Sequence, residues 1–285
     1  MLLFALALTL YANAVRSDVP RWGAEAERAW DAQLAEAFGR LSHDMAGGIG
    51  RAEAVRTIFP ASPIPKALDV PILGRTEPFR AGGALTFRDD CYEGGVWLNA
   101  THDDTLSAAA VDDIVSSVCG RLAFTLSPSY SPPFAYRVEF GGLLRVQGDS
   151  AVVVAGPLLD LKATDDDPST GFYEVSITMP DLYGAGTTAA LDRSSVAVVL
   201  APGPATPELA VERNAAWIQL DFHTPFAEAW EKWFDERLEL AEFEDYTVTA
   251  DSDSVSVTIN GPRTDDEEAD LIYSLSYGLF KVTIE

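Results

Sequence analysis

Beyond residue 80 the apolar residues recur at every second position, and only half-buried β-strands satisfy a period of two. Tyr136, Val138 and Phe140 alternate with Arg137 and Glu139. The same pattern runs through Tyr173, Val175, Ile177 and Met179, through Val196, Val198 and Leu200, and through Ile218, Leu220 and Phe222. It returns at Val255, Val257 and Ile259, and again at Phe280, Val282 and Ile284. Gly, Pro and Asp clusters separate these runs, as in antiparallel sheets with one face on a core. Val152 to Val154 has no polar interruption and reads as a fully buried strand.

The N-terminal region has a helical period instead. Pro20 suits the first turn of a helix, where no backbone donor is needed. Behind it Trp22, Ala26, Ala29, Trp30, Leu34, Ala37, Phe38, Leu41 and Met45 recur at three- and four-residue spacing. Glu25, Glu27, Arg28, Asp31 and Glu36 lie between them, so one apolar stripe runs along a solvated helix over 20–46. The pattern ends near Gly47-Gly48, with a second helical piece running on toward Ile58 before Pro60. Residues 60–71 (PASPIPKALDVP) then read as a connector.

Within the strand region, Thr224 as N-cap and Pro225 at the first position open a helix with Phe226, Trp230, Trp233, Phe234 and Leu238 on one face. A shorter helix is predicted around Thr105 to Ser117. Residues 201–207 (APGPATP) read as a linker or a long turn. The expected fold is α+β, mainly β. A hydrophobic and amphipathic N-terminal stem over 1–58 precedes an antiparallel β-sandwich or barrel over 59–285. That outer domain carries one inserted helix and a sub-boundary near 201–207.

Leu2 to Val15 (LLFALALTLYANAV) carries no charge. As a helix it spans roughly 21 Å, short of a hydrocarbon core of about 30 Å. A secretory signal needs a basic flank, and nothing basic precedes Leu2, although Tyr11-Ala12-Asn13-Ala14 offers an A-x-A pattern. A buried core helix is the third option. The reading taken here is a membrane anchor through residues 2–15, with Met1 internal to a longer frame.

Charge limits the partners. The chain has 44 acidic residues against 20 basic ones, a net charge of −24, and only 4 of the basic residues are lysines. A carboxylate-rich surface stays hydrated when salt screens its self-repulsion, a salt-adapted pattern like that of halophilic archaea. Nucleic acid is not an expected partner, because phosphate recognition needs a basic patch. Apolar residues still make up 47% of the chain, enough for a sizeable core.

The usual catalytic signatures fail. There is no G-x-S-x-G, S-x-x-K, H-E-x-x-H or Walker loop, and His43, His102 and His223 are scattered. No catalytic, cofactor-binding or metal-ligating residue is assigned, no cofactor is expected, and the chain is read as non-enzymatic. Residues 184–189 (GAGTTA) match a loose dinucleotide fingerprint without the strand and helix it requires. Asp221 and His223 form a conceivable pair, but a histidine satisfied near a helix N-terminus is the preferred reading. Residues 165–167 and 265–268 are acidic runs without the alternation of a calcium loop.

Cys91 and Cys119 leave two alternatives: one disulfide, contributing roughly 3 to 4 kcal/mol by loop entropy, or two unpaired buried thiols. Asn99-Ala100-Thr101 is the one N-x-[ST] sequon, so Asn99 can accept a glycan if the domain is exported.

Several short stretches together carry a resemblance. These are Val19-Pro20-Arg21-Trp22 with Glu25 and Glu27 behind it, Tyr136 to Phe140 followed by Gly141-Gly142-Leu143-Leu144 and Gln147-Gly148, and Val152-Val153-Val154 leading to Gly156-Pro157. Thr224-Pro225-Phe226-Ala227-Glu228-Ala229-Trp230 through Phe234 is the last. With them the chain resembles uncharacterised haloarchaeal envelope proteins that have a type IV pilin-like N-terminal stem. The resemblance implies a membrane-anchored extracellular protein at the cell surface, with self-association or other pilin-like subunits as partners through the stem. The alternative is an exported hydrolase or a carbohydrate-binding module on a β-sandwich, for which Trp97, Trp217 and Tyr130 are the aromatic candidates.

Overall fold

In a computed structural model the helical period gives α1 (Leu2–Asn13) and α2 (Val19–Gly48), and α3 (Ala227–Leu240) interrupts the strands. The structure describes residues 2–13, 16, 19–48, 53–61, 68–70, 74–76, 82–99, 111–113, 117–164, 172–184, 186–189, 195–203, 208–215, 217–261 and 270–285. The strands are β1 (Val55–Pro60), β2 (Leu68–Val70), β3 (Gly74–Thr76), β4 (Gly82–Asn99), β5 (Val111–Asp113) and β6 (Ser117–Ser127). Next come β7 (Phe134–Glu139), β8 (Gly142–Gln147), β9 (Ser150–Ala155), β10 (Leu158–Thr164), β11 (Phe172–Gly184) and β12 (Gly186–Ala189). The last are β13 (Ser195–Pro202), β14 (Glu208–Ala215), β15 (Trp217–His223), β16 (Tyr246–Ala250), β17 (Ser254–Asn260) and β18 (Asp270–Ile284). The chain is mainly β.

Two large sheets form. One has the order β1-β13-β18-β11-β10 with β14 also on β18, and the other runs β16-β17-β15-β4-β6-β7-β8-β9 with β5 and β12 also on β4. The expectation of purely antiparallel pairing needs one correction, because β11 and β18 run parallel over their whole shared length. Parallel neighbours need a long crossover. Here the intervening chain supplies it, with α3 and the strands β12 to β17.

The alternation fills two cores. In the first, Leu161, Tyr173, Val175, Ile177 and Met179 of one sheet meet Ile218, Leu220, Phe222, Val255, Val257 and Ile259 of the other. Trp230, Phe234 and Leu238 of α3 pack into the same cluster, and α3 touches β9 as well as β16 and β17. The second core packs Trp30, Leu34, Phe38, Leu41 and Met45 of α2 against Phe59, Leu85, Phe124, Tyr136, Val198 and Val282. The apolar stripe of α2 is therefore seated on the β-sheets from Trp30 onward.

Several sequence expectations are corrected. The helical continuation toward Ile58 is instead strand β1, because the β-branched and aromatic run of residues 55–59 favours a sheet edge beside β13. Within the proposed short helix of 105–117, residues 111–113 are β5 and Ser117 opens β6; the rest lies outside the described residues. In the connector, Pro60 ends β1 and residues 68–70 form β2. In the 201–207 linker, Ala201 and Pro202 finish β13, and residues 204–207 lie outside the described residues.

Residues 152–154 are not a buried strand. β9 ends its sheet, and Val152 and Val154 are 67% and 46% exposed. The helix after Thr224 begins two residues later than expected, with Phe226 as its N-cap. The Thr224 hydroxyl accepts the Phe226 amide at 3.2 Å, but it donates to the Glu139 carboxylate at 2.8 Å, which orients it inward.

The turn joining β7 to β8 is buried. Phe140 and Gly141 have φ of 51° and 81°, the two positive values of a tight two-residue hairpin turn. A phenylalanine is costly there. Its ring is buried against Phe222 and Trp230, which offsets the strain, and Ser42 of α2 donates to the Gly141 carbonyl at 2.9 Å.

Candidate functional site

α1 stands apart from both cores. Leu3, Phe4, Leu6, Leu8 and Leu10 are 82%, 69%, 55%, 51% and 62% exposed, and its twelve residues include no charge. Such a patch on a soluble surface normally marks a contact. Among the described residues no helix is long and apolar enough to cross a membrane.

α2 is fixed to the domain by polar as well as apolar contacts. Buried Glu27 accepts the backbone amides of Ser129 and Tyr130 and the Ser131 hydroxyl, drawing the 128–131 turn onto the helix. The Trp30 indole donates to the Pro60 carbonyl at 2.8 Å. Asp31 accepts the Tyr136 hydroxyl at 2.6 Å and pairs with Arg145 at 3.4 Å, whose guanidinium lies 4.2 Å over the Phe134 ring. Burial, then the Asp31 carboxylate, pushes the Tyr136 hydroxyl well above the ordinary tyrosine range. These contacts make the helix a part of the folded domain.

Between the cores sits Glu139, whose side chain is fully buried. Arg137 pairs with it at 3.2 Å, and Thr224 and Trp230 donate to its other oxygen at 2.8 and 3.4 Å. The Arg137 guanidinium also lies 4.8 Å over the Phe226 ring. Sealed from solvent, this carboxylate joins β7 to α3. Sequence alternation places Glu139 on the solvent side, because nothing in the pattern signals that the following turn is buried.

An open cleft of about 520 Å³ lies between the β9 edge, the first turns of α3 and the 251–252 turn. Asp149, Glu228, Glu236 and Asp251 set four carboxylates against the single ammonium of Lys232, with Phe226 and Trp233 also lining the cleft. That balance suits a cationic or neutral occupant. Among the described residues no group of three or more His, Cys, Asp or Glu is placed to hold a metal ion.

The sequence candidates are dispersed. Asp221 accepts Gln219 Nε2 at 2.8 Å, while His223 is exposed at the end of β15, and no hydrogen bond among the described residues joins the pair. The expectation that no strand precedes residues 184–189 is corrected, because β11 runs up to Gly184. Residues 186–189, however, form β12 beside β4, so a strand follows where a nucleotide site needs a helix. The acidic runs 165–167 and 265–268 lie outside the described residues, as does His102.

Cys91 and Cys119 are register partners on β4 and β6. Asn99 ends β4 opposite Trp217, while Thr101 of its sequon lies outside the described residues. Trp97 stands opposite Gln219, one alternation step from the Asn99–Trp217 rung. Tyr130 is far from both in the chain, in the turn held by Glu27.

No protein-family profile, no curated protein and no solved structure matches this chain. Its functional reading rests on its own surfaces.

Proposed function

We propose that this chain is a non-enzymatic cell-surface protein, held by α1 in a membrane or in a pilin-like bundle of stems. Its outer part is an acidic, salt-adapted two-sheet sandwich of the haloarchaeal envelope type. One observation carries this reading: α1 is uncharged and exposed while the adjoining α2 is packed into the domain. Burying five large apolar side chains is worth roughly 1.5–3 kcal/mol each, and among the described residues neither core covers them. At about 1.5 Å per residue, the twelve residues reach roughly 18 Å, enough to enter one leaflet or to pack beside another stem.

The test compares the full chain with a variant lacking residues 2–18, both in several molar salt with lipid vesicles. The full chain is expected to float with vesicles or to self-associate, and the shortened one to remain a folded monomer. A shortened chain that unfolds, or a full chain that stays monomeric and unbound, defeats the proposal.

A carbohydrate-binding face is the second reading. It is favoured by the register that sets Trp97 and Trp217 on one face of adjacent strands, with Gln219 beside them. Sedimentation with insoluble polysaccharides, lost in Trp217→Ala, would support it.

A further inference from the structure

Cys91 and Cys119 are the only 2 cysteines among 285 residues, and the fold sets them on the same rung of an antiparallel ladder. Directly opposed residues have Cα atoms about 4.5 or 5.5 Å apart, depending on the rung, and a disulfide bridges roughly 4.4–6.8 Å. The placement is also mechanically meaningful. The ladder steps from Arg88↔Arg121 to Cys91↔Cys119, so Asp89 and Asp90 oppose Gly120 alone and β4 bulges just before the pair. Gly120 has φ of 91°, and a Cβ there would come within 2.2 Å of the Leu182 carbonyl oxygen on β11. The bulge is thus wedged against the other sheet, at the one break in the β4–β6 register.

We propose that Cys91 and Cys119 form a cross-strand disulfide that locks the β4–β6 register at this bulge. The bond forms by exchange with a low-molecular-weight disulfide such as oxidised glutathione. One cysteine thiolate attacks a donor sulfur, releasing one glutathione thiol and leaving a mixed disulfide. The other thiolate then displaces the second glutathione and closes the ring. Two protons and two electrons pass from the pair, and the donor leaves as two thiols. The closed loop holds Asn99 and β5, which folds back onto the end of β4. Such a bond persists in oxidising surroundings. The inference is independent of anchoring through α1.

The test equilibrates the full chain with oxidised glutathione in high salt, alkylates it and measures thiols after denaturation. No titratable thiol is expected, with one Cys91–Cys119 linked peptide and a gain of two hydrogen atoms on reduction. Reductant should lower the thermal midpoint of the native sequence and leave the double variant Cys91→Ala, Cys119→Ala unmoved. Two free thiols per chain after equilibration, or a link found only between chains, overturns the proposal. A chain that forms the internal bond yet ignores vesicles and does not self-associate defeats surface anchoring and leaves the disulfide standing.

Discussion

Glu139 and Tyr136 lie on the same strand, and each ties a helix to the sheet through polar side-chain contacts. Removing the Glu139 carboxylate leaves the Arg137 guanidinium and two donors without their acceptor. Glu139→Ala is expected to cost about 3–5 kcal/mol, with Glu139→Gln milder, in denaturant unfolding at high salt. Tyr136 gives a prediction in pH. Its hydroxyl is harder to deprotonate in the folded chain than in the unfolded one. Its contribution is therefore complete below about pH 10, the unfolded value, and is lost as pH rises beyond it. Tyr136→Phe should lose about 1–2 kcal/mol at neutral pH and show a shallower stability decline above pH 10. Equal alkaline slopes for the two proteins would refute this.

Elements separate into those that carry the fold and those left open. Leu34 in α2 is fully buried, whereas Leu8 in α1 is 51% exposed. Leu34→Ala should cost about 3–5 kcal/mol, and Leu8→Ser should stay within about 0.5 kcal/mol. Equal losses in thermal unfolding would mean that the two helices are not energetically distinct. The period of α2 was readable because Trp30, Leu34, Phe38, Leu41 and Met45 keep one face, and β15 and β17 were readable as strands from strict alternation, though not their pairing. β9 was not. Three consecutive valines look the same at a sheet edge as at its centre, because the number of neighbouring strands is a property of topology. The Thr224 cap was misplaced by two residues because the hydroxyl serves Glu139, a partner 85 positions away.

At the scale of the whole molecule, 44 carboxylates against 20 basic groups predict a fold that strengthens with salt. The thermal midpoint should climb between about 0.2 M and several molar potassium chloride, and a flat or falling curve would contradict the salt-adapted reading. The mainly-β composition was legible because periodicity is local, while the parallel β11–β18 pair was hidden because its crossover spans many elements. The mutual approach of Cys91 and Cys119 was equally hidden, being a matter of register. The buried turn at Phe140–Gly141 has a consequence for descent. Hairpin ends usually absorb insertions freely, but this one is closed in by Ser42, Phe222 and Trp230. Lineages carrying this fold should vary in length elsewhere, keep these two positions ungapped, and so reveal their kinship there first.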